Sequence, residues 1–229
     1  MNFAKDFRKY LQAKFSGKVS VFDSILKQGV LTPYIVKEGK DNMIQSDVFS
    51  ELMAKRIIFF GEDVNTDTSG IALCQLLYMH SVDSTAPISM YIASPGGEVY
   101  TGLALYDTMQ LVQQDLELST VCCGLAASMG SILLSGGSPG KRMALPHSRV
   151  MIHSVSTGTG RITYPDLVVQ TRETGYLNEE LMQILATKSG KSLDEVTADC
   201  SRDCWLKAEE CLPGKYGPLG LIDKIIDSL

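Results

Sequence analysis

From residue 56 onward, short apolar runs alternate with longer stretches in which apolar residues recur three and four positions apart. Three runs are typical of strands buried on both faces of a sheet: RIIFF (56–60), ISMYIA (88–93) and LSTVCCGL (118–125). The stretches SGIALCQLLYMHSV and VYTGLALYDTMQLV lie between them and have the period of helices that pack on a sheet. This order predicts an α/β fold with a mostly parallel sheet.

A long helical pattern follows two further predicted strands, RMAL (142–145) and RVMIH (149–153). It runs from about Tyr164 to Lys188. A helix of that length spans roughly 36 Å, which is more than a small domain needs to cover its own sheet. The pattern leaves two interpretations open: a helix that projects toward another subunit, or a core helix kinked at Gly175.

The size and charge of the chain restrict its class. Its 229 residues are enough for one compact domain with a full core. The net charge of -5 argues against nucleic-acid binding, which needs a basic face. Because no run of about 18 or more apolar residues occurs, we predict no membrane span. The first residues lack the apolar segment of a secretory signal, so we expect a cytoplasmic protein.

The six cysteines do not follow the spacing of a disulfide framework, which agrees with a cytoplasmic location. Cys200 and Cys204 are four residues apart, a spacing that could hold a metal ion on a helix. No histidine is near them in the sequence to complete a zinc site. We therefore expect reduced cysteines and no metal.

The N-terminal residues 1–31 differ in character from the rest of the chain. Phe3, Phe7, Leu11 and Phe15 recur every four residues among Lys and Arg, as in a basic amphipathic helix. Such a segment could be used for membrane-surface binding or targeting, or it could be a docked or cleavable extension such as a propeptide. We predict one domain from 32 to 229, in which residues 32–48 form a loop or short strand.

Ser128 lies among small residues in the stretch CGLAASMGSILL, where a predicted strand must turn into a helix. A serine at such a turn is exposed at the carboxyl end of the sheet, beside free N–H groups of the helix. Small neighbours would let a substrate backbone approach closely. The pattern A-x-S-x-G is only similar to the G-x-S-x-G of hydrolases, and a helix N-cap or a close-packing site is the alternative.

A nucleophilic serine needs a base and an acid that orients it. Of the three histidines, His153 is the best candidate, because it ends an apolar strand at the same sheet edge as Ser128. His80 lies on the polar side of a helical pattern, and His147 follows Pro146 in a turn. Spacing does not select the acid among the 26 Asp and Glu residues.

The segment SPGGEV (94–99) directly follows a predicted strand. Its two glycines would allow backbone N–H groups to turn inward and bind a developing oxyanion. A phosphate site is a second interpretation, although the segment lacks the P-loop lysine and the G-x-G-x-x-G spacing. A simple tight turn is the third.

The order of these motifs resembles the family of Clp protease proteolytic subunits. SPGG is followed by YDTMQ (106–110), GLAASMG (124–130) and LPHSRVMIH (145–153), and then by ADCSRDCWLKAEE (198–210) and GLID (220–223). The resemblance covers roughly residues 32–229. It implies a crotonase-like spiral of ββα units, in which the long helix protrudes as a handle.

The resemblance also implies a catalytic triad. By position, Ser128 matches the nucleophile of the family and His153 matches its general base. In the D-x-x-x-D pair the second aspartate is the acid of the family, which is Asp203 and not Asp199. The N–H groups of Gly97 and Met129 would form the oxyanion hole. The chain is thus expected to be a serine endopeptidase.

The family's assembly gives further expectations. Its members form two stacked heptameric rings, a tetradecamer whose chamber receives unfolded proteins and peptides. An AAA+ unfoldase uses ATP to feed the chamber, so the proteolytic subunit itself is expected to need no cofactor and no metal. Tyr91 and Leu111 resemble positions of the hydrophobic pocket that receives the unfoldase's docking loops.

The sequence departs from the family pattern at several points. Ala93 stands where the family usually has Asn, so a local hydrogen bond is expected to be missing. The segment Ser154–Pro165 replaces a glycine-rich strand, which bears on cleavage preference and ring stacking. Glu98 would slow acylation unless its carboxylate points to solvent. The segment LPGKYGPL (212–219) is expected to be an insertion.

Two other functions remain open at this point. The chain could be a weakly active regulatory or structural ring subunit that assembles with an active paralogue. It could also be an acyl-CoA enzyme of the same crotonase-like fold, which would use the paired N–H groups without a triad.

Overall fold

The computed structural model describes residues 34–38, 43–158 and 160–228. The chain divides into two units, one that ends at Glu51 and one that begins at Leu52. In the first unit, β1 (Tyr34–Glu38) and β2 (Met43–Asp47) form an antiparallel pair. The loop or short strand expected for residues 32–48 is therefore a pair of strands. The predicted extension 1–31 lies outside the described residues.

Helix α1 (Val48–Ala54) begins directly after β2. The Asp47 carboxylate accepts hydrogen bonds from the N–H groups of Phe49 and Ser50, at 2.9 and 3.0 Å. These N–H groups have no partner inside the helix, and an aspartate before the first turn is a common way to satisfy them.

The second unit alternates strands and helices, as the apolar pattern predicts. The elements after α1 are β3 (Ile57–Phe60), α2 (Thr66–Val82), β4 (Ile88–Ser94), α3 (Val99–Val112), β5 (Leu118–Ala127), α4 (Met129–Ser135), β6 (Arg142–Ala144), β7 (Arg149–Ile152), α5 (Tyr164–Ser189), α6 (Leu193–Asp199), β8 (Cys204–Lys207), a 3-10 helix (Ala208–Cys211) and β9 (Lys224–Ile225).

Strands β3 to β9 form one seven-stranded sheet. Five of them lie side by side in the order β3-β4-β5-β6-β9, and neighbouring strands in this series are parallel. The long strand β5 changes partner along its length. Thr120–Cys122 pairs with β6, and Leu125–Ala127 pairs with β7. Between them Gly124 has φ 86°, a left-handed conformation that glycine adopts at little cost. The remaining strand, β8, pairs antiparallel with β7. The predicted α/β fold with a mostly parallel sheet is confirmed.

Burial along the strands corrects one prediction. The strands were expected to be buried on both faces, but β4 alternates between fully buried and half-buried residues. Met90 and Ile92 belong to the core, together with Leu105 and Met109 of α3, whereas Tyr91 between them is only half-buried. Within one chain the helices therefore cover one face of this strand more completely than the other.

Helix α5 has 26 residues and spans about 39 Å. It continues through Gly175, so the kinked alternative is not what the structure shows. Its buried residues all lie at or after Leu181, while Tyr164, Val169 and Tyr176 are exposed by 61% or more. The first part of α5 therefore projects from the core, as the handle interpretation predicts. The helix ends at Ser189 and is capped by Gly190, which has φ 75°.

All six cysteines are free. Burial raises the pKa of the Cys122, Cys200 and Cys211 thiols to about 12. Among the described residues, no three His, Cys, Asp or Glu side chains come together as a metal site, and no helix has the length and hydropathy needed to cross a membrane.

Arg142 and Asp223 join the edge of the sheet to the end of the chain. The Arg142 guanidinium contacts Asp223 Oδ1 at 2.7 Å and Oδ2 at 3.1 Å. It also donates to the carbonyl oxygens of Lys188, Leu219 and Gly220. Arg142 is 5% exposed, so its charge depends almost entirely on these partners. A buried arginine that loses its carboxylate is strongly destabilising.

We predict that Asp223→Asn lowers the free energy of unfolding by about 3 kcal/mol, because Arg142 is left buried without its counter-charge. Chemical denaturation followed by circular dichroism measures this change. The matched control is Glu117→Gln, which removes the exposed 2.9 Å pair with Lys141 and is expected to cost less than about 1 kcal/mol. Equal effects of the two substitutions would contradict the prediction.

Candidate active site

Ser128 lies between β5 and α4 with φ 52° and ψ −124°. A non-glycine residue rarely has positive φ, and such a conformation costs of order 1–3 kcal/mol unless the surroundings impose it. Here they do, because the Ser128 N–H donates to the Met151 carbonyl of β7 at 2.9 Å. On the helix side, the Ser128 carbonyl accepts from the Ser131 N–H and hydroxyl, at 2.9 and 2.6 Å.

The Ser128 side chain does not cap the helix. Although the residue occupies the N-cap position of α4, its hydroxyl makes no capping hydrogen bond. Instead, Ser128 Oγ is 2.9 Å from His153 Nε2. The strained turn thus presents the hydroxyl to the imidazole, which is the arrangement of a serine and its general base.

Strand pairing brings these two residues together. Ala127 pairs with Met151 across β5 and β7, and each candidate residue lies just beyond this pair at the carboxyl end of its strand. The two other histidines lie elsewhere. His80 Nε2 contacts Asp115 Oδ2 at 2.8 Å, and His147 lines a separate cavity.

Asp203 reaches the same place from β8. Ile152 at the end of β7 pairs with Cys204 at the start of β8. Asp203, just before β8, therefore lies beside His153, just after β7. Asp203 Oδ1 is 3.6 Å from His153 Nδ1, which is longer than a hydrogen bond. The Asp203 side chain is 61% exposed. Asp199, the other member of the D-x-x-x-D pair, forms an ion pair with Lys191 instead.

The glycine loop is held against Ser128 by Val64. The Val64 N–H donates to the Gly96 carbonyl, and the Glu98 N–H donates to the Val64 carbonyl, both at 2.8 Å. Successive N–H groups of an extended segment point to opposite sides, so the Gly97 N–H points away from Val64. Gly97 lines both cavities that adjoin Ser128.

The helix supplies the second predicted oxyanion donor. Met129 is the first residue of α4, and the first N–H groups of a helix have no partner within it. A Cβ placed on Gly96 would lie 3.0 Å from Met129 N and 2.6 Å from Ser128 Cβ. The glycine loop and the start of α4 are therefore in direct contact, which brings the Gly97 and Met129 segments to one side of the serine.

The glycine loop follows Ala93, where a hydrogen bond of the family's Asn was expected to be missing, and a hydrogen bond within the loop stabilises it. The Ser94 hydroxyl accepts a hydrogen bond from the Gly96 N–H at 3.2 Å. Gly97 has φ 151°, and a Cβ there would lie 2.1 Å from the Val64 carbonyl oxygen. Only glycine fits this position, so the close approach of Val64 explains the second glycine of SPGG.

Two cavities meet at Ser128 and His153. The smaller, of about 40 Å³, is bounded by α4 and α5 and by the segment after β7. Part of its wall is apolar and part is polar; the apolar residues are Val99, Ile132, Ile152, Val155, Leu181, Met182 and Leu185, and the polar ones are Ser128, Ser131, His153, Ser154 and Ser156. The larger groove, of about 660 Å³, runs past Asp63 and the glycine loop to Met151. No lysine or arginine of the described residues lines either one, which argues against the phosphate interpretation.

Glu98 also lines the larger groove, and its side chain is exposed. A carboxylate in water is strongly screened, so its effect on a developing oxyanion is much weaker than in a buried site. Glu98 was expected to slow acylation only if its carboxylate did not point to solvent, and the exposed side chain does not meet this condition.

The segment after His153 is attached to α5. The Val155 N–H donates to Asn178 Oδ1 at 3.0 Å, and Gln170 Nε2 donates to Thr157 Oγ1 at 3.1 Å. The handle helix thus holds the chain that borders the smaller cavity. Val64 and Asn178 were not identified from the sequence, because a valine before a helix and an asparagine on a helix carry no distinctive pattern.

The two predicted partner-binding residues lie on different elements. Tyr91 is half-buried on β4 and pairs with Phe59 of β3, which is 49% exposed. Leu111 is 57% exposed near the end of α3. Their role in binding a partner stays a prediction.

Comparison with known proteins gives one consistent result. The family model for Clp protease matches residues 39–229. The ATP-dependent Clp protease proteolytic subunit of Bacteroides fragilis (strain YCH46) is 46% identical over 224 residues, which cover 96% of this chain and 98% of the relative. The protein of the same name from Porphyromonas gingivalis (strain ATCC BAA-308 / W83) is 41% identical over 97% of both chains.

A third relative gives the same match. The ATP-dependent Clp protease proteolytic subunit 3 of Parasynechococcus marenigrum (strain WH8102) is 45% identical over 180 residues, which cover 79% of this chain and 86% of the relative.

We predict that Gly97→Ala lowers kcat for a peptide substrate by about 100-fold or more, because the new Cβ displaces the loop whose N–H is predicted to bind the oxyanion. Steady-state kinetics measure the effect. Gly70→Ala in α2 is the matched control, since a Cβ there meets no atom within 4 Å. A Gly97→Ala protein with wild-type kcat would show that this N–H is not used.

Proposed function

The chain belongs to the Clp protease family, and from this membership we propose that it is the serine-type proteolytic subunit of an ATP-dependent Clp protease. In this proposal Ser128 is the nucleophile, His153 the general base and Asp203 the acid. The relatives' names describe proteolytic subunits, so neither the regulatory-subunit nor the acyl-CoA alternative is carried forward.

The observation that carries the proposal is the 2.9 Å contact between Ser128 Oγ and His153 Nε2, made by a serine with φ 52°. A serine used only for packing or capping would not need a strained backbone. A serine that must meet both an imidazole and a substrate carbonyl gains from one, because the strain keeps its hydroxyl at the exposed end of the strand.

Acylation would proceed by one proton transfer and one bond formation. His153 Nε2 accepts the Ser128 proton while Oγ attacks the peptide carbonyl carbon, and the carbonyl oxygen becomes an oxyanion. The N–H groups of Gly97 and Met129 would donate to it. The C–N bond then breaks, and the imidazolium gives its proton to the leaving amine.

Deacylation would repeat these steps with water. His153 accepts a proton from water, the hydroxide attacks the acyl carbon, and the proton returns to Ser128 as the acid product leaves. Asp203 would stabilise the imidazolium in both half-reactions. For this the exposed Asp203 side chain must move closer than its 3.6 Å separation from Nδ1, and such contacts often tighten once substrate is bound.

The cavities suggest how a substrate lies. The smaller cavity beside Ser128 would receive a side chain on the acyl side of the cleaved bond, where contact with the apolar part of the wall, formed by residues such as Val99, Ile132 and Leu185, is favourable. The open groove past the glycine loop would hold the leaving segment. A narrow site of this kind accepts an extended chain, which fits the proposal that the substrates are unfolded proteins and peptides.

Exposed apolar surfaces support the proposed assembly of two stacked heptameric rings. Helix α2 exposes Ile71, Tyr78 and Val82 by 58% or more, and the first part of α5 exposes Tyr164 and Val169. Apolar patches of this kind usually mark contacts with other chains. Contacts between handles would stack the rings, and contacts of α2 would lie within a ring.

The name of the relatives includes dependence on ATP, which implies an ATPase partner. We propose an AAA+ Clp unfoldase that docks on a surface including Tyr91 and Leu111. In this proposal the chain needs no cofactor of its own, since the triad supplies the nucleophile and the base, and backbone N–H groups supply the oxyanion donors. The proposed site of action is the cytoplasm.

We predict that a fluorophosphonate forms one adduct per chain, on Ser128. Among the described residues, only this serine has a hydroxyl within hydrogen-bond distance of a histidine nitrogen. Intact-protein mass spectrometry and peptide mapping detect the adduct. Ser128→Ala should abolish labelling and peptide hydrolysis, and the distant Ser81→Ala should change neither. A folded oligomer that takes up no label would overturn the proposal.

Asp203→Asn is expected to reduce kcat by about 100-fold or more while KM changes little, because the amide no longer stabilises the imidazolium. Hydrolysis of a fluorogenic peptide measures both constants. Glu209→Gln, which neutralises another exposed carboxylate just after the opposite end of β8, is the control. If both variants kept wild-type kcat, Asp203 would not be the acid.

A further inference from the structure

We infer that the loop Leu212–Leu219 positions the catalytic acid, through Tyr216, Lys191 and Asp199. This inference rests on the proposed triad. It concerns residues that touch neither substrate nor the reacting atoms, and it explains how an exposed Asp203 is kept near His153.

The acid is poorly held by its own side chain. Asp203 is 61% exposed and stands 3.6 Å from His153 Nδ1, so no hydrogen bond joins them. The location of its carboxylate therefore depends on the backbone between α6 and β8. Asp199 is the last residue of α6, four residues before Asp203, and any tilt of that helix end moves the acid.

Asp199 is anchored by a lysine. Lys191 precedes the start of α6, and its Nζ forms an ion pair with the Asp199 carboxylate across the whole length of the helix. The two side chains are 18% and 31% exposed, so this pair is less accessible to water than an ordinary surface pair. Reduced screening makes such a pair a stronger constraint.

The loop 212–219 contacts the lysine of this pair. Lys191 Nζ lies 4.5 Å from the centroid of the Tyr216 ring, within the range of a cation–π contact. Tyr216 is 5% exposed, and burial, followed by the charge of Asp199, raises the pKa of its hydroxyl. The tyrosine ring thus lies against the lysine of the pair and covers part of it, and the charge of Asp199 acts on the tyrosine hydroxyl.

The loop itself is firmly attached to the core. The Leu219 N–H donates to the Ser189 carbonyl at 2.8 Å, and Arg142 donates to the Leu219 carbonyl at 2.9 Å. A Cβ on Gly217 would lie 2.5 Å from the Ser189 carbonyl oxygen, so the loop packs directly on the turn between α5 and α6. Tyr216 is therefore presented by a rigid support.

The end of α6 is also connected to the segment that carries the base, His153. Cys200 follows Asp199 and is 1% exposed. Its carbonyl accepts two hydrogen bonds from Ser154, one from the N–H and one from the hydroxyl, both at 2.8 Å. Since Ser154 directly follows His153, the segment that carries the acid and the strand that carries the base are joined at this carbonyl.

The test compares kcat of the wild type, Lys191→Met, Asp203→Asn and the double variant. Lys191→Met should lower kcat by about tenfold to 100-fold with little change in KM, because a small misplacement of a catalytic group has this effect. If Lys191 acts through Asp203, it should lower kcat less than about twofold once Asp203 is Asn. Lys191→Arg, which keeps the charge, should retain most of the activity.

Lys141→Met is the matched control, because it removes a lysine that pairs with Glu117 on another part of the surface. It should leave kcat unchanged. Asp199→Asn, which is isosteric, should reproduce the effect of Lys191→Met, and it replaces that variant if Lys191→Met does not fold. Equal kcat values for Lys191→Met and Lys141→Met, or additive losses in the double variant, would overturn the inference.

Hydrogen exchange gives a readout that does not depend on activity. Backbone amides of residues 200–204 should exchange faster in Lys191→Met than in the wild type, and unchanged exchange overturns the inference. If the wild type neither cleaves peptide nor accepts the fluorophosphonate, the proposed function fails and the positioning role fails with it. If the wild type is active but the variants match their control, only the inference fails.

Discussion

The pairing of β5 with β7 is the interaction on which the site depends. β5 leaves its partner β6 at Gly124 and continues beside β7, so that Ala127 lies opposite Met151. The Met151 carbonyl then accepts the Ser128 N–H and holds that residue at φ 52°. Without this change of partner, β5 would end in an ordinary connection, and the serine would not meet the histidine that follows β7.

The strain at Ser128 is tolerated because close packing surrounds it. The backbone of Gly96 lies so close that a Cβ there would be 2.6 Å from the serine Cβ. Val64 forms hydrogen bonds with the glycine loop, and Ser131 donates to the serine carbonyl. Several independent contacts therefore determine one residue's backbone. A cost of order 1–3 kcal/mol is small beside the core that these elements share, and it secures the geometry before any substrate arrives.

Most strands, the long helix and the candidate residues Ser128 and His153 could be predicted from the sequence, because apolar period and small residues report local structure. The position of Asp203 could not be obtained from spacing, since it depends on the antiparallel register of β7 and β8. The role of Val64 was also hidden, because it arises from one backbone bridge to Gly97. The half-burial of Tyr91 could not be predicted either, because it depends on which face of the sheet the helices cover.

The three candidate triad members are held with different firmness, and this difference follows from where each lies. Ser128 and His153 follow adjacent parallel strands inside the sheet, so the sheet itself sets their separation. Asp203 precedes the edge strand β8, which pairs with β7 alone. The β7–β8 register fixes its position on one side only, and on the other side the position depends on α6 and the carbonyl of Cys200. Changes remote from the nucleophile should therefore affect the reaction through the acid before they affect the serine or the base.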